Sequence, residues 1–261
     1  DIAYINLQKE QGRLTSGEAD YWKEKIGNLQ EYQYGYHKGW SMILDTLTWP
    51  VLIMMLICIG IAPIFAGEYQ SKCDSLILCM KYGRSKLILA KIISGWLYAT
   101  GVYWGITLIY SSIYMIFLGT QGADLPIQLK YPAMSVGYNL TMGEAVGITL
   151  LLGYFFTLGI MGITLFMSAL LKNTYAVIIV AFLLIIIPTF LSLDTGGYVW
   201  SHVLSLLPPK IADFSFQSYT AYSIGNIVLS WPVMAILVNA IVAVLCSVLG
   251  YIIFRKHQVN K

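Results

Sequence analysis

APIFAGEYQSKCDSLILCMKYGRSKLILAK, residues 62–91, is the stretch on which the fold of this chain turns. An apolar run ends inside it, a basic amphipathic segment follows, and a second apolar run begins at its end. That order describes a membrane-spanning helix emerging near Ala66, a short helix along the membrane surface, and a second span re-entering near Lys91. Ser71-Lys72-Cys73-Asp74 has the pattern of a capping box, and Cys73, Leu76, Ile77 and Met80 recur at helical spacing. Lys72, Asp74 and Lys81 are left for water, and Leu78 interrupts the pattern. Gly83 permits a turn before Arg84, Lys86 and Lys91, whose charges can sit among headgroups while their stems stay in apolar surroundings.

The composition fits this elbow. Of the 261 residues 57% are hydrophobic and 11% charged, whereas a soluble domain carries about 25% charged residues. With a mean hydropathy of +0.69, the chain reads as an integral membrane protein. Apolar runs of about 20 residues are needed to cross the hydrocarbon, and five are present. They cover roughly Leu47 to Ala66, Ile92 to Leu118, Ala145 to Leu171, Tyr175 to Leu193 and Val233 to Phe254. None alternates with a period of two, so the expected fold is an all-α polytopic helical bundle and not a β-barrel.

Lys72, Lys81, Arg84, Lys86, Lys91, Lys172, Arg255, Lys256 and Lys261 lie in short segments near span ends, with Glu68 and Asp74 as the acids beside them. The positive-inside rule therefore places the elbow (about 68–86) and the tail (255–261) in the cytoplasm, and residues 1–46 outside with loops 119–142 and 194–232. An external N-terminal segment must be translocated, yet the chain opens at Asp1 with no Met, basic flank or apolar signal. We therefore expect an upstream span, six helices in all.

Along the chain, Thr15-Ser16-Gly17-Glu18 fits a capping box, and Trp22, Ile26 and Leu29 mark one face of an external helix. Tyr34, Tyr36 and Trp40 suit an interfacial aromatic belt. Asp45 reads as a carboxylate favoured by the positive end of a helix dipole. Pro50 is tolerated in an opening turn, whereas Pro63 is expected to kink or stop its helix. Gly101 and Gly105 form G-x-x-x-G, and Gly147, Gly153, Gly159 and Gly162 suggest close contacts of the third span. Thr141-Met142-Gly143-Glu144 is a third capping-box pattern. Lys172-Asn173-Thr174 is a turn short enough to make its flanking spans antiparallel neighbours. Val199 to Leu207 can form a short helix stopped by Pro208-Pro209, and His202 reads as a lone interfacial histidine.

Several chemistries are excluded. The chain has no G-x-x-x-x-G-K-[ST] and no H-E-x-x-H, and its four cysteines form neither a metal spacing nor a disulfide framework. Its net charge of +3 implies no nucleic-acid partner.

PIFAGEYQSKCDSLILCMKYGRSKLILAK resembles the region shared by ABC-2 type transporter permeases, in which a span ends, a glutamate follows, and a cytoplasmic connecting helix leads through a small-Arg-Ser turn to a lysine of the next span. GYHKGW ahead of it and the hydropathy order resemble bacterial, Firmicute-like members. One departure is Lys72-Cys73, where many members carry a small residue followed by Thr or Met. The resemblance implies a permease domain over 47–254 that pairs with a second permease half and with cytoplasmic ABC ATPase subunits in the bacterial plasma membrane, with re-entrant external helices before the last span. It implies no cofactor in this chain, ATP and Mg belonging to the ATPase. It gives the coupling role to Glu68, Asp74, Gly83, Arg84 and Lys91. Singly, Arg84 and Lys91 also read as inside anchors and Glu68 as a residue favoured at a helix terminus. The implied activity is export of an amphiphilic substrate such as a peptide, lipid or drug. The alternative is a non-transporting membrane sensor or assembly factor that anchors a cytoplasmic partner.

Overall fold

The computed structural model describes residues 2–27, 34–46, 50–73, 79, 80, 82, 83, 85–131, 136–191, 197–217, 219–224 and 227–256. Asp74, Arg84, Leu29, Leu76, Ile77 and Leu78 lie outside them.

Helices dominate: α1 (Ile2–Glu10), α2 (Ser16–Gly27), α3 (Lys38–Thr46), α4 (Pro50–Ile61), α5 (Pro63–Gln70), α6 (Lys86–Leu118), α7 (Met142–Leu170), α8 (Thr174–Phe190), α9 (Tyr198–Leu204) and α10 (Trp231–Lys256). Among the described residues, four stretches are long and apolar enough to cross a membrane: α4 with α5 (Pro50–Gln70), α6, α7 and α10. The fifth expected span, α8, is shorter than expected. Its 17 residues at ~1.5 Å each cover ~25 Å, below the ~30 Å of a hydrocarbon core. Pro188 lies in its last turn, and the buried Lys210 donates to the Leu191 carbonyl at 2.6 Å, closing that end.

The all-α expectation needs one correction. β1 (Ala221–Ile224) and β2 (Ile227–Ser230) pair antiparallel, with Ala221 opposite Ser230 and Ile224 opposite Ile227.

The hub of the bundle is α7, not the elbow. Gly153, Gly159 and Gly162 make this possible, because a Cβ at these positions would meet the Tyr103 hydroxyl at 2.4 Å, Asn239 Oδ1 at 2.5 Å and the Ala243 Cα at 2.7 Å. At Gly162 the backbones of α7 and α10 touch. Gly147, expected to do the same, faces open space. So do Gly101 and Gly105, whose G-x-x-x-G meets no other helix among the described residues.

Pro63 breaks the first span as expected, but the helix resumes at once as α5 and runs on through Glu68 to Gln70. The elbow therefore begins at Ser71, one turn later than the sequence suggests. A single side chain on α7 serves the break. The buried Ser168 hydroxyl accepts from the Phe65 and Ala66 N–H groups at 3.0 and 3.1 Å and donates to the Ala62 carbonyl at 2.7 Å. Ser168→Ala should cost about 1–2 kcal/mol, because it leaves buried backbone groups without partners. Thermal unfolding in detergent reads this directly, and an unchanged Tm would show that the hydroxyl does not support the break.

The helices alternate in direction, so the chain has two ends. At the elbow end Phe65 and Tyr69 meet Phe254 (ring centroids 4.7 and 5.4 Å), and the Tyr69 hydroxyl donates to the Ala169 carbonyl at 3.1 Å. At the other end, the described residues of 2–46 pack with parts of 119–146 and 197–230 into one cap whose core includes Ile5, Trp22, Ile43, Tyr138, Phe216 and Tyr219. Trp22 and Ile26 face this core as the periodicity suggests, and the Trp22 ring meets Tyr138 and Tyr219 edge-on. Trp40, read as part of an aromatic belt, donates from Nε1 to the Thr120 carbonyl at 3.0 Å.

Asp45 also needs a correction. It lies in the last turn of α3, where the helix dipole is negative, and is held by Lys130 Nζ at 2.6 Å. Burial pushes the Lys130 ammonium below the usual lysine range, and Asp45 opposes that shift.

Candidate functional site

Of the five residues singled out at the elbow, the structure brings together Glu68 and Lys91. Lys91 lies in the second turn of α6, which starts earlier than expected, at Lys86. It donates to Glu68 Oε1 and, at 2.7 Å, to the Ile64 carbonyl. The pair thus ties α5 to α6 across the two sides of the elbow. Glu68 sits at the C-terminal end of α5, where a carboxylate is opposed by the dipole, so its position is explained by Lys91 and not by a favourable terminus. Glu68 Oε2 is buried without a partner.

Gly83 is buried, while Cys73, Cys79 and Met80 are exposed. Ser71 uses its hydroxyl on the preceding helix, donating to the Gly67 carbonyl at 2.8 Å, and Lys72 adopts a left-handed φ of 57° that ends α5. Pro63, Gly67, Glu68, Lys91 and Ser94 line a shallow depression beside the pair.

The cap holds a second constellation that sequence reasoning missed. The Thr15 capping box forms, with Thr15 N–H on Glu18 Oε2 at 2.8 Å and Glu18 N–H on Thr15 Oγ1 at 3.4 Å. Glu18 is fully buried, and its other oxygen accepts from the Tyr198 hydroxyl at 2.8 Å, 180 residues away. The Tyr198 ring lies 4.0 Å from that of His202. His202 is buried, with Nδ1 2.9 Å from the Tyr198 carbonyl and Nε2 3.0 Å from the Ala221 carbonyl. Ser205 and Tyr222 share a hydroxyl contact of 2.7 Å behind it. The sequence flagged Glu18 as a cap and His202 as solitary, and no local pattern signals their connection through Tyr198.

This network forms one wall of a cleft of about 320 Å³ between α1, α9 and the extended segment before β1. Gln8, Gln11, Arg13, Tyr198, Gln217 and Tyr219 are among its lining.

Burial first, and then the hydrogen bond to Glu18, push the Tyr198 phenol up to about 12 from an ordinary 10. Burial pushes Tyr222 to about 12 as well, against an opposing bond to Ser205. A phenol raised in the fold stabilises it fully below the unfolded value of 10, and that contribution is lost as pH rises towards 12. In an ultraviolet tyrosinate titration, Tyr198→Phe and Tyr222→Phe should each remove one phenol ionising near pH 12. Loss of a phenol titrating near pH 10 instead would contradict the buried network.

Among the described residues no group of three or more His, Cys, Asp or Glu side chains is placed to hold a metal ion. The four cysteines are free thiols, Cys58 being buried with Sγ 3.3 Å from Thr164 Oγ1.

Apolar helices of spanning length around α7, with charge gathered at their ends, define a predominantly α-helical, polytopic membrane protein. Within that class the chain belongs to the family described as Protein of unknown function (DUF2705), whose family model matches residues 21–259. Neither a curated protein nor a solved structure matches it.

Proposed function

We propose that this chain is the transmembrane permease subunit of an ATP-binding cassette exporter of the bacterial plasma membrane. The elbow and residues 255–261 face the cytoplasm and the cap faces out. Two such halves, identical or different, work with separate ATPase subunits to move an amphiphilic substrate. The observation that carries this reading is the Glu68–Lys91 pair, which links the two helices flanking the basic elbow. A push on the elbow then moves α5 and α6 as one body, and α5 passes the displacement to α7 through Ser168. Rigid rocking of such a unit is a recognised way to switch access from one side to the other.

The test is recovery of a P-loop ATPase on co-purification in mild detergent, followed by transport in vesicles. Glu68→Ala with Arg84→Ala should lower transport by about tenfold or more while ATP hydrolysis and membrane insertion persist, since an interaction used in the coupled step is removed. Unchanged transport would remove the coupling role. Recovery of a kinase, or of no ATPase, would favour an anchoring function instead.

A further inference from the structure

We infer that the cleft in the cap is a binding site for a small uncharged saccharide, a ligand distinct from any amphiphile moved by the spans. At about 320 Å³ the cleft lies at the lower end of the ~300–1,000 Å³ typical of ligand pockets. Such pockets are mostly apolar, whereas the lining of this one is close to evenly divided between polar and apolar surface. Gln8 on α1 and Gln11, in the turn just after it, line one side and Gln217 another. Each primary amide supplies two donors and an acceptor, matching hydroxyl groups that both donate and accept. Tyr4, Tyr198 and Tyr219 add aromatic surface, with the Tyr4 and Tyr219 rings 6.0 Å apart. The electron-rich face of such a ring suits the C–H face of a pyranose.

Charge narrows the class. No carboxylate belongs to the lining among the described residues, Arg13 is already engaged in another interaction, and the His202 ring is packed against the Tyr198 and Ala221 carbonyls. The Glu18 carboxylate is committed to Thr15 and Tyr198. The cleft therefore offers no pair of opposite charges for a zwitterion. An acyl chain would cover the Gln8 and Gln11 amides without offering them partners, a cost that a hydroxyl-rich ligand avoids. The bonds that join Tyr198 to α2 and His202 to β1 hold the wall in place before a ligand arrives, which lowers the cost of binding.

The experiment uses the full chain in lipid nanodiscs, because maltoside and glucoside detergents would themselves compete. Maltose and N,N'-diacetylchitobiose are titrated by saturation-transfer NMR and calorimetry, with trialanine as the zwitterionic comparison. At least one disaccharide should bind saturably with Kd near or below about 1 mM. Gln8→Ala with Gln11→Ala should weaken it about tenfold or more, as expected when a polar ligand loses hydrogen bonds. Tyr4 is 50% exposed, so Tyr4→Ala keeps the fold and should weaken the same ligand even if the double variant does not fold. Three results overturn the assignment: neither disaccharide binds, binding survives the variants unchanged, or trialanine binds more tightly than both.

Discussion

Gly162→Leu should unfold the bundle or reduce its stability by about 3 kcal/mol or more, measured as loss of monodisperse protein and a lowered Tm in detergent. A Cβ at position 162 would stand 2.7 Å from the Ala243 Cα and 2.8 Å from its carbonyl oxygen. Both are backbone atoms, so no rotamer change relieves the clash and α10 must move away from α7. The matched control is Gly147→Ala on the same helix, where nothing lies within 4 Å. Alanine is the better helix former by about 1 kcal/mol, so that variant should be neutral or slightly more stable. Equal effects of the two substitutions would show that the close approach of α7 and α10 is not what holds the bundle.

Lys91→Met should destabilise the elbow end by about 2 kcal/mol. It leaves Glu68 with one oxygen newly unpaired and the other already without a partner, at the negative end of α5. Fully buried pairs lose about 3–5 kcal/mol when broken from one side, but these side chains keep 23% and 16% of their surface exposed, and solvent screens part of the loss. Glu68→Gln with Lys91→Met should recover more than half of it, because the stranded charge is gone. A thermodynamic cycle over the single and double variants measures the coupling, and additive effects would mean that the two groups do not interact.

The spans were legible because a helix in hydrocarbon must be apolar along its whole length. Each of the five runs corresponds to a helix, with ends shifted by up to a turn or two. The shortness of α8 was missed because hydropathy continues past Phe190, whereas Pro188 and the Lys210 contact end the helix. Two local patterns worked well. Thr15 with Glu18, and Thr141 with Glu144, form the capping boxes their spacing suggests. The Ser71 pattern runs on to Asp74, outside the described residues, and its Ser71 hydroxyl donates to the Gly67 carbonyl.

The hairpin was readable in principle. AYSI and IVLS are separated by Gly225-Asn226, a two-residue connection of the kind that favours tight hairpins. The spans drew attention away from so short a signal. Partners that depend on the tertiary path could not be read at all. Glu68 meets Lys91 across the elbow, and Glu18 meets Tyr198, 180 residues away along the chain, within the cap. Each is locally an ordinary terminal or capping residue. Gly101 and Gly105 show the converse, a helix-packing motif that no other helix among the described residues occupies.

The side of the membrane on which the elbow lies is measured most directly by cysteine labelling. Cys73 and Cys79 are exposed thiols flanking that segment. On intact cells a membrane-impermeant maleimide should leave both unmodified until the membrane is opened. Asp20→Cys on α2, in a variant with Ser at positions 73 and 79, should react without opening it. Labelling of Cys73 or Cys79 from the medium would place the elbow away from any cytoplasmic ATPase and contradict the account.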